Sequence, residues 1–403
     1  MNVLRAQCCV VGGGPAGMML GLLLARAGVD VVVLEKHADF LRDFRGDTIH
    51  PSTLDVIAEL GMLDDFLKRP HQEMTHLSGQ LGENTVKVAD FSHLPTRCKF
   101  LAFMPQWDFL DFLCERAKRF PTFALRTNTN VDGLLWDGER VAGVRAQTPQ
   151  GPLEVRAHLT VAAVGRDSIV RDAAGLEIVE MGAPMDVLWL RLTKSPDDPH
   201  DTFGYIRDGR ILALIGRGDY WQCAYVIPKG TLALLQENGL EAFRQQIRRT
   251  VPFLGERVDE VTRWEDVRLL TVRVSRLRQW HRPGLLCIGD AAHAMSPIGG
   301  VGINLAIQDA VAAANLLGPR LLRNEVTSND LQRVQRRREF AAKMTQTLQV
   351  FLQEYVIGRV LSNGRSSLLG WLPGLAARLP FLPRIPARLV GLGFRPEHVE
   401  DRR

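Results

Sequence analysis

Cys8-Cys9-Val10-Val11-Gly12-Gly13-Gly14-Pro15-Ala16-Gly17 is the stretch from which the fold can be read. Its first four residues are an apolar run of strand type, and the glycines after them form a turn. Met18 to Ala27 reads as a buried helix ending at Gly28, a residue suited to the left-handed position after a helix. Val29 to Leu34 is a second apolar strand, closed by Glu35. Strand, glycine turn, helix, strand and acid, with the acid close to the roughly 20-residue offset expected, make a dinucleotide-binding unit. Gly12 permits the tight turn, Gly14 lets the backbone approach a pyrophosphate, and Gly17 lets the helix pack on the sheet. Pro15 and Ala16 open the helix, whose N-terminal N–H groups and dipole favour phosphate. Glu35 is placed to accept from ribose hydroxyls, with Lys36 beside it as a further cofactor contact. The unit alone does not distinguish NAD from FAD.

A second junction of the same kind follows far along the chain. After the turn pair Pro283-Gly284, Leu285 to Ile288 is an apolar strand running into Gly289-Asp290-Ala291-Ala292-His293, then Pro297, Gly299, Gly300, Gly302 and Asn304. A long apolar helix is expected from about Gly302 to Leu317. Free N–H groups at Gly302, Ile303 and Asn304 would stabilise negative charge on a ring system.

This second motif resembles the GD motif of class A FAD-dependent aromatic monooxygenases, the family of para-hydroxybenzoate hydroxylase. The resemblance implies an α/β fold: a Rossmann-type FAD-binding domain with an inserted, sheet-rich substrate domain. It implies that Gly289 and Asp290 hold the ribityl chain of FAD and that Pro297 shapes the ring site. The backbone at Gly300, Gly302, Ile303 and Asn304 would face the flavin. His293 is read as structural. Arg45, followed by Gly46, resembles the family's arginine beside the flavin, with Arg42 a weaker candidate. Met104-Pro105-Gln106-Trp107 resembles the helix start whose glutamine, here Gln106, contacts FAD. Gly165-Arg166-Asp167-Ser168-Ile169-Val170-Arg171 resembles the end of a third motif, with one departure: Val164 stands where the family has an aspartate. That departure bears on use of NADH or NADPH more than on FAD. Arg166 and Arg171 are read equally as phosphate partners and as surface charges.

The implied activity is hydroxylation of an aromatic or polyketide- or quinone-like small molecule, using NAD(P)H and O₂ through a flavin C4a-hydroperoxide. A flavin oxidase or a dehydrogenase/reductase without oxygen insertion is the alternative enzyme, and a non-catalytic flavin-binding regulator the alternative outside enzymology. A halogenase is disfavoured, because Cys223 and Tyr225 occupy the positions of that group's two tryptophans.

The intervening sequence is strand-rich. Val131 to Arg145 alternates around the hairpin signal Asp137-Gly138, and short strands fill Asp186 to Ile227. A helical stretch is expected over 231–250. These patterns predict a discontinuous FAD-binding domain (1–70, 98–180, 268–345), a substrate sheet (71–97, 181–267) and a helical, proline-rich C-terminal segment (346–403). The sheet should form one pocket wall, with Tyr205, Tyr225 and Cys223 as substrate contacts; 47–50 and 71–76 would form the other.

The chain has 403 residues, a net charge of +5, 46% hydrophobic and 24% charged residues. That balance fits a globular protein with an anionic ligand, and no basic arm points to nucleic acid. Arg336, Arg337 and Arg338 read as a solvated helix face, and His50, His71 and His76 as scattered surface histidines without metal-ligand spacing. Six cysteines without CxxC spacing predict reduced thiols and a cytoplasmic protein, and no signal peptide is expected. The C-terminal stretch 368–399 is expected to pack on the FAD domain, with peripheral membrane contact as the second reading. Its prolines rule out one spanning helix.

Overall fold

The computed structural model describes residues 2–41, 48–199, 203–363 and 381–400. The strand Asn2–Val11 is central to the larger sheet, pairing in parallel with Gly151–Ala162 on one side and Val31–Leu34 on the other. It is longer than its apolar run: residues 2–7 are exposed or half-buried, and only Cys8 to Val11 are fully in the core. Phe123–Arg126 and Leu285–Cys287 extend the sheet in parallel at either side. The hairpin of Asn130–Asp137 and Arg140–Thr148 pairs antiparallel with the beginning of Gly151–Ala162.

Helix α1 (Pro15–Arg26) follows the first strand. It is buried from Ala16 to Ala25, which accounts for its apolar sequence on every side. At Gly21 a Cβ would come within 2.8 Å of Val33 Cγ2, so the helix rides close on the sheet. Helices α2 (Pro51–Glu59) and α3 (Gln106–Ala117) also belong to this region, and the chain between them supplies strands to the second sheet.

The second sheet has seven strands in the spatial order Arg268–Leu270, Met185–Thr193, Tyr220–Pro228, Arg210–Arg217, Phe203–Arg207, His76–Leu81 and Asn84–Asp90. All pairs are antiparallel except Phe203–Arg207 with His76–Leu81. Arg268–Leu270 falls in this sheet although it begins beyond the expected boundary at 267. It pairs with 187–189 before the chain returns to the first sheet. The helical stretch over 231–250 is two helices, Leu232–Glu237 and α4 (Leu240–Thr250), separated at Gly239, whose φ is +87°.

From residue 302 on, the described residues form α5 (Gly302–Leu321), α6 (Ser328–Leu352), a short helix Gly358–Asn363 and α7 (Arg384–Gly391). By length and composition α5 could cross a membrane, yet 78% of its apolar window is buried, with α1 and α6 packed against it. It is a core helix. The described part of the tail, 381–400, packs inward: Asn315 Nδ2 on α5 donates to His398 O at 2.8 Å, and Val399 N donates to Glu59 at 2.8 Å.

Two surface expectations are corrected. Arg338 is 1% exposed and bonds Asp309 at 3.0 Å and Glu397 at 3.4 Å, because its face of α6 turns toward α5 and the chain end. His50 is fully buried rather than scattered on the surface.

Candidate functional site

The two glycine junctions meet. A Cβ on Gly289 would lie 3.2 Å from Cβ of Ala16, in the first turn of α1, and 3.4 Å from Cβ of Ala306 on α5. At the first junction Gly12 has φ +107°, and a Cβ there would come 2.5 Å from Ala163 O. Gly17 packs against the turn itself, its Cβ position being 1.9 Å from Gly12 O. Gly14 differs: a Cβ would meet nothing within 4 Å, so the backbone faces open space beside the uncapped N-terminus of α1 that begins with Pro15 and Ala16. Glu35 is fixed by Gly13 N, which donates to Oε2 at 2.9 Å, and by His37 N, which donates to Oε1 at 3.1 Å. Lys36 is exposed, and Gln106 is the half-buried first residue of α3.

At the second junction the N-terminus of α5 is also uncapped, and a Cβ on Gly302 would again meet nothing within 4 Å. Pro297 begins the single turn Ile298–Gly300 that leads to it. Ile303 and Asn304 are buried. The Asn304 side chain points away from the opening and accepts from Thr53 Oγ1 at 2.8 Å.

Asp290 carries an ion pair. Arg166 Nε lies 3.3 Å from Asp290 Oδ2, and Arg166 Nη2 lies 3.4 Å from Met295 O. The third motif therefore reaches the second through Arg166. Arg171 is buried and donates to Asp172 at 2.9 Å. Val164 backs onto the first turn, its Cα 2.8 Å from where Gly12 would carry a Cβ.

The register of the second sheet corrects the substrate contacts. Tyr205, Cys223 and Tyr225 share one face with Leu212 and Leu214, and that face is covered by Phe243 and Ile247 of α4. Tyr225 Oη donates to Gln246 at 2.8 Å, and burial pushes both tyrosine hydroxyls up to about 12. These side chains belong to a closed core. The opposite face carries a cross-strand row of Trp189, Ala224, Ala213, Gly204 and Gly79. On that face Ile215 and Leu77 pack against Met74, Phe91 and Phe103.

Arg45 and Arg42 lie outside the described residues. Among the described residues, no three His, Cys, Asp or Glu side chains cluster as metal ligands would.

Supports not anticipated from sequence cluster behind the openings. Asp309 accepts from Gly289 N at 3.0 Å, His293 Nε2 at 2.6 Å and Arg338 Nε at 3.0 Å. Burial would raise its pKa, but His293, Arg338 and the Gly289 N–H outweigh burial and hold the carboxyl below its ordinary range. Gln349 Nε2 donates to Ser296 O at 3.0 Å and Ile298 O at 2.9 Å, while Gln353 Nε2 donates to Ser296 Oγ at 2.6 Å. The signal was present: Gln346, Gln349 and Gln353 are spaced i, i+3, i+7 along one helix face, a polar stripe that needs partners.

Two open, uncapped helix ends meeting at a glycine fit a long cofactor with a phosphate end and a ring end. A family model described as FAD binding domain matches residues 5–347. The 6-methylpretetramide 4-monooxygenase of Streptomyces rimosus is 36% identical over 368 residues, covering 90% of this chain and 86% of that protein. This chain belongs to the FAD-dependent aromatic monooxygenases. The monooxygenase takes FAD as cofactor and NADH or NADPH as reductant, and acts on a small molecule and O₂. The para-nitrophenol 4-monooxygenase of Pseudomonas sp. (strain WBC-3) is 25% identical over 325 residues, 76% of either chain. In fold, this monooxygenase is similar to the anhydrotetracycline hydroxylase OxyS of S. rimosus. That match has a TM-score of 0.76 at 22% identity and covers 99% of this chain and 78% of that one.

Proposed function

We propose that this monooxygenase hydroxylates a flat, multi-ring aromatic substrate of the polyketide type. The observation that carries the reading is the row Trp189, Ala224, Ala213, Gly204 and Gly79. From Ala224 to Gly79 three inter-strand spacings of about 4.8 Å make a floor roughly 14 Å long, with Trp189 standing at its end. Small side chains keep the floor low, and a Cβ on Gly204 would meet nothing within 4 Å. The relatives named for 6-methylpretetramide and anhydrotetracycline support the same class.

FAD, when bound and reduced by the nicotinamide nucleotide, supplies activation of O₂; one oxygen atom goes to the substrate and the other leaves as water. The chain's part is to bind, orient and exclude water. We assign the pyrophosphate to the backbone at Gly12, Gly14, Pro15, Ala16 and Gly17, and the adenosine ribose to Glu35, with Lys36 and Gln106 at the edge of that region. Gly289 and Asp290 would hold the ribityl chain, and Gly300, Gly302, Ile303 and Asn304 would present N–H groups to the ring. Pro297 shapes the ring's surroundings. Arg45 is proposed as the cation beside the flavin from sequence alone. With Val164 in the aspartate position, Arg166 is the charge that answers Asp290 at this corner. A cytoplasmic location agrees with six free, buried cysteines. The inward packing of residues 381–400 argues against peripheral membrane contact by that part of the tail.

The test is purified protein reconstituted with FAD and reduced anaerobically by NADH or NADPH, with and without multi-ring and single-ring phenols. Ligand-stimulated reduction followed, on admitting O₂, by a product one oxygen heavier supports the reading. Flavin reduction by the organic substrate itself, with no oxygen gained, sinks it in favour of a dehydrogenase.

A further inference from the structure

His50 is fully buried just before α2, with Nδ1 2.7 Å from Val390 O in the last turn of α7 and Nε2 3.0 Å from Gly300 O. Burial lowers the pKa of the ring, and the two carbonyls offset this in part. A neutral imidazole has one N–H to donate, so the ring hydrogen-bonds one of the two carbonyls at a time, and packing alone keeps the other beside its bare nitrogen. Gly300 stands two residues before α5, with φ +61°, and a Cβ there would come 2.9 Å from Thr48 Oγ1. The neighbouring side chains repeat the link. Ser52 Oγ lies 3.0 Å from Gly391 O and 2.8 Å from Asn304 Oδ1. At Gly391 α7 is seated tightly: a Cβ there would come 2.6 Å from Leu94 Cδ1, 3.3 Å from the Phe91 ring and 3.4 Å from Pro51 Cγ. Beyond α7 the chain stays bound along α5 and α6 through Arg337 with Glu397 and Asn315 with His398.

We propose that His50 is a positioning residue through which the C-terminal helix α7 sets the loop 297–301 for the flavin ring, an inference that rests on the FAD reading above. The chain end thereby becomes part of the cofactor site. His50 touches neither substrate nor flavin in this role, and it acts through the Gly300 carbonyl.

The experiment uses the full chain and titrates FAD by flavin fluorescence and visible spectrum, with thermal melting of each apoprotein as a control on folding. H50L should weaken FAD about tenfold, the effect of a lost buried hydrogen bond, and shift the bound flavin spectrum. H50Q, whose amide stands near the Nε2 position, should restore part of both. G391V displaces α7 without touching the ring and should weaken FAD alone, yet add little to H50L. Wild-type affinity and spectrum in H50L overturn the proposal. So do additive losses with G391V that track apoprotein melting, because they describe general destabilisation. Wild-type protein that binds no FAD overturns the cofactor reading and this inference with it, and is recognised before any variant is made.

Discussion

Gly289 stands against Ala16, with 3.2 Å between the Ala16 Cβ and the position a Gly289 Cβ would take. The residues are far apart in sequence, and each belongs to its own glycine junction. Gly289 also has φ +59°, a conformation that a side chain strains by roughly 1–2 kcal/mol. Gly289→Val should separate the two helix ends that share the cofactor. The expected result is at least a tenfold rise in the FAD dissociation constant, larger than the loss in apoprotein stability alone would give. Fluorescence titration measures it, and wild-type affinity in the variant would show that the contact does not shape the site.

Tyr225 invites the opposite expectation. Its ring lies under α4 and its hydroxyl on Gln246, on the face away from the small-residue row. Tyr225→Phe should cost about 1 kcal/mol of stability, the worth of one hydrogen bond, and leave kcat/KM within about twofold. A large rise in KM with unchanged stability would return Tyr225 to the substrate.

The difference between these residues shows what the sequence makes legible. The cofactor junctions depend on local order, namely glycines, a following apolar helix and a closing acid, so the tight turn at Gly12 and the close packing at Gly17 could be read from sequence. Tyr205, Cys223 and Tyr225 looked equally suited to a ligand because alternation along a strand gives two faces and not which one is covered. Only pairing with Leu212 and Leu214 and the seat of α4 decides that. Arg338 misled for a related reason, since a run of three arginines hides the one whose helical angle points inward. His50 meets Gly300 and Val390 across 250 and 340 residues of chain, and no local pattern carries such a contact.

Asp309 joins the Gly289 loop to His293 and Arg338 while buried from water. Asp309→Asn leaves Arg338 with Glu397 as its remaining acid and should destabilise the fold by roughly 3 kcal/mol, as breaking a buried charge pair does. The pH dependence follows from the sign of the shift. The carboxyl is held below its ordinary value, so its contribution is fully present above the unfolded pKa of about 3.9 and is lost as pH falls through the lower folded value. Acid unfolding of the wild type should therefore steepen below about pH 4. The variant, already weakened at neutral pH, should show a shallower slope there. Denaturant midpoints across pH 3 to 7 check it, and parallel curves for the two proteins would remove Asp309 from the acid transition.

Ala213 tests the substrate floor. It is the middle residue of the row, paired with Ala224 on one side and Gly204 on the other. Ala213→Phe would raise a ring in the centre of a surface that lies on the face away from α4. Turnover of multi-ring phenols should fall at least tenfold in kcat/KM, through KM. Single-ring phenols, which need less of the floor, should lose less than threefold. FAD affinity should not change, because none of the residues assigned to the cofactor lies in the row. Steady-state kinetics on both substrate sizes, with NAD(P)H consumption compared against hydroxylated product, separates the cases. Equal losses on both sizes would mean that the ring disturbs the fold or the flavin instead. No loss on either would mean that the substrate lies elsewhere, since a phenyl group cannot occupy that floor without excluding a flat molecule from it.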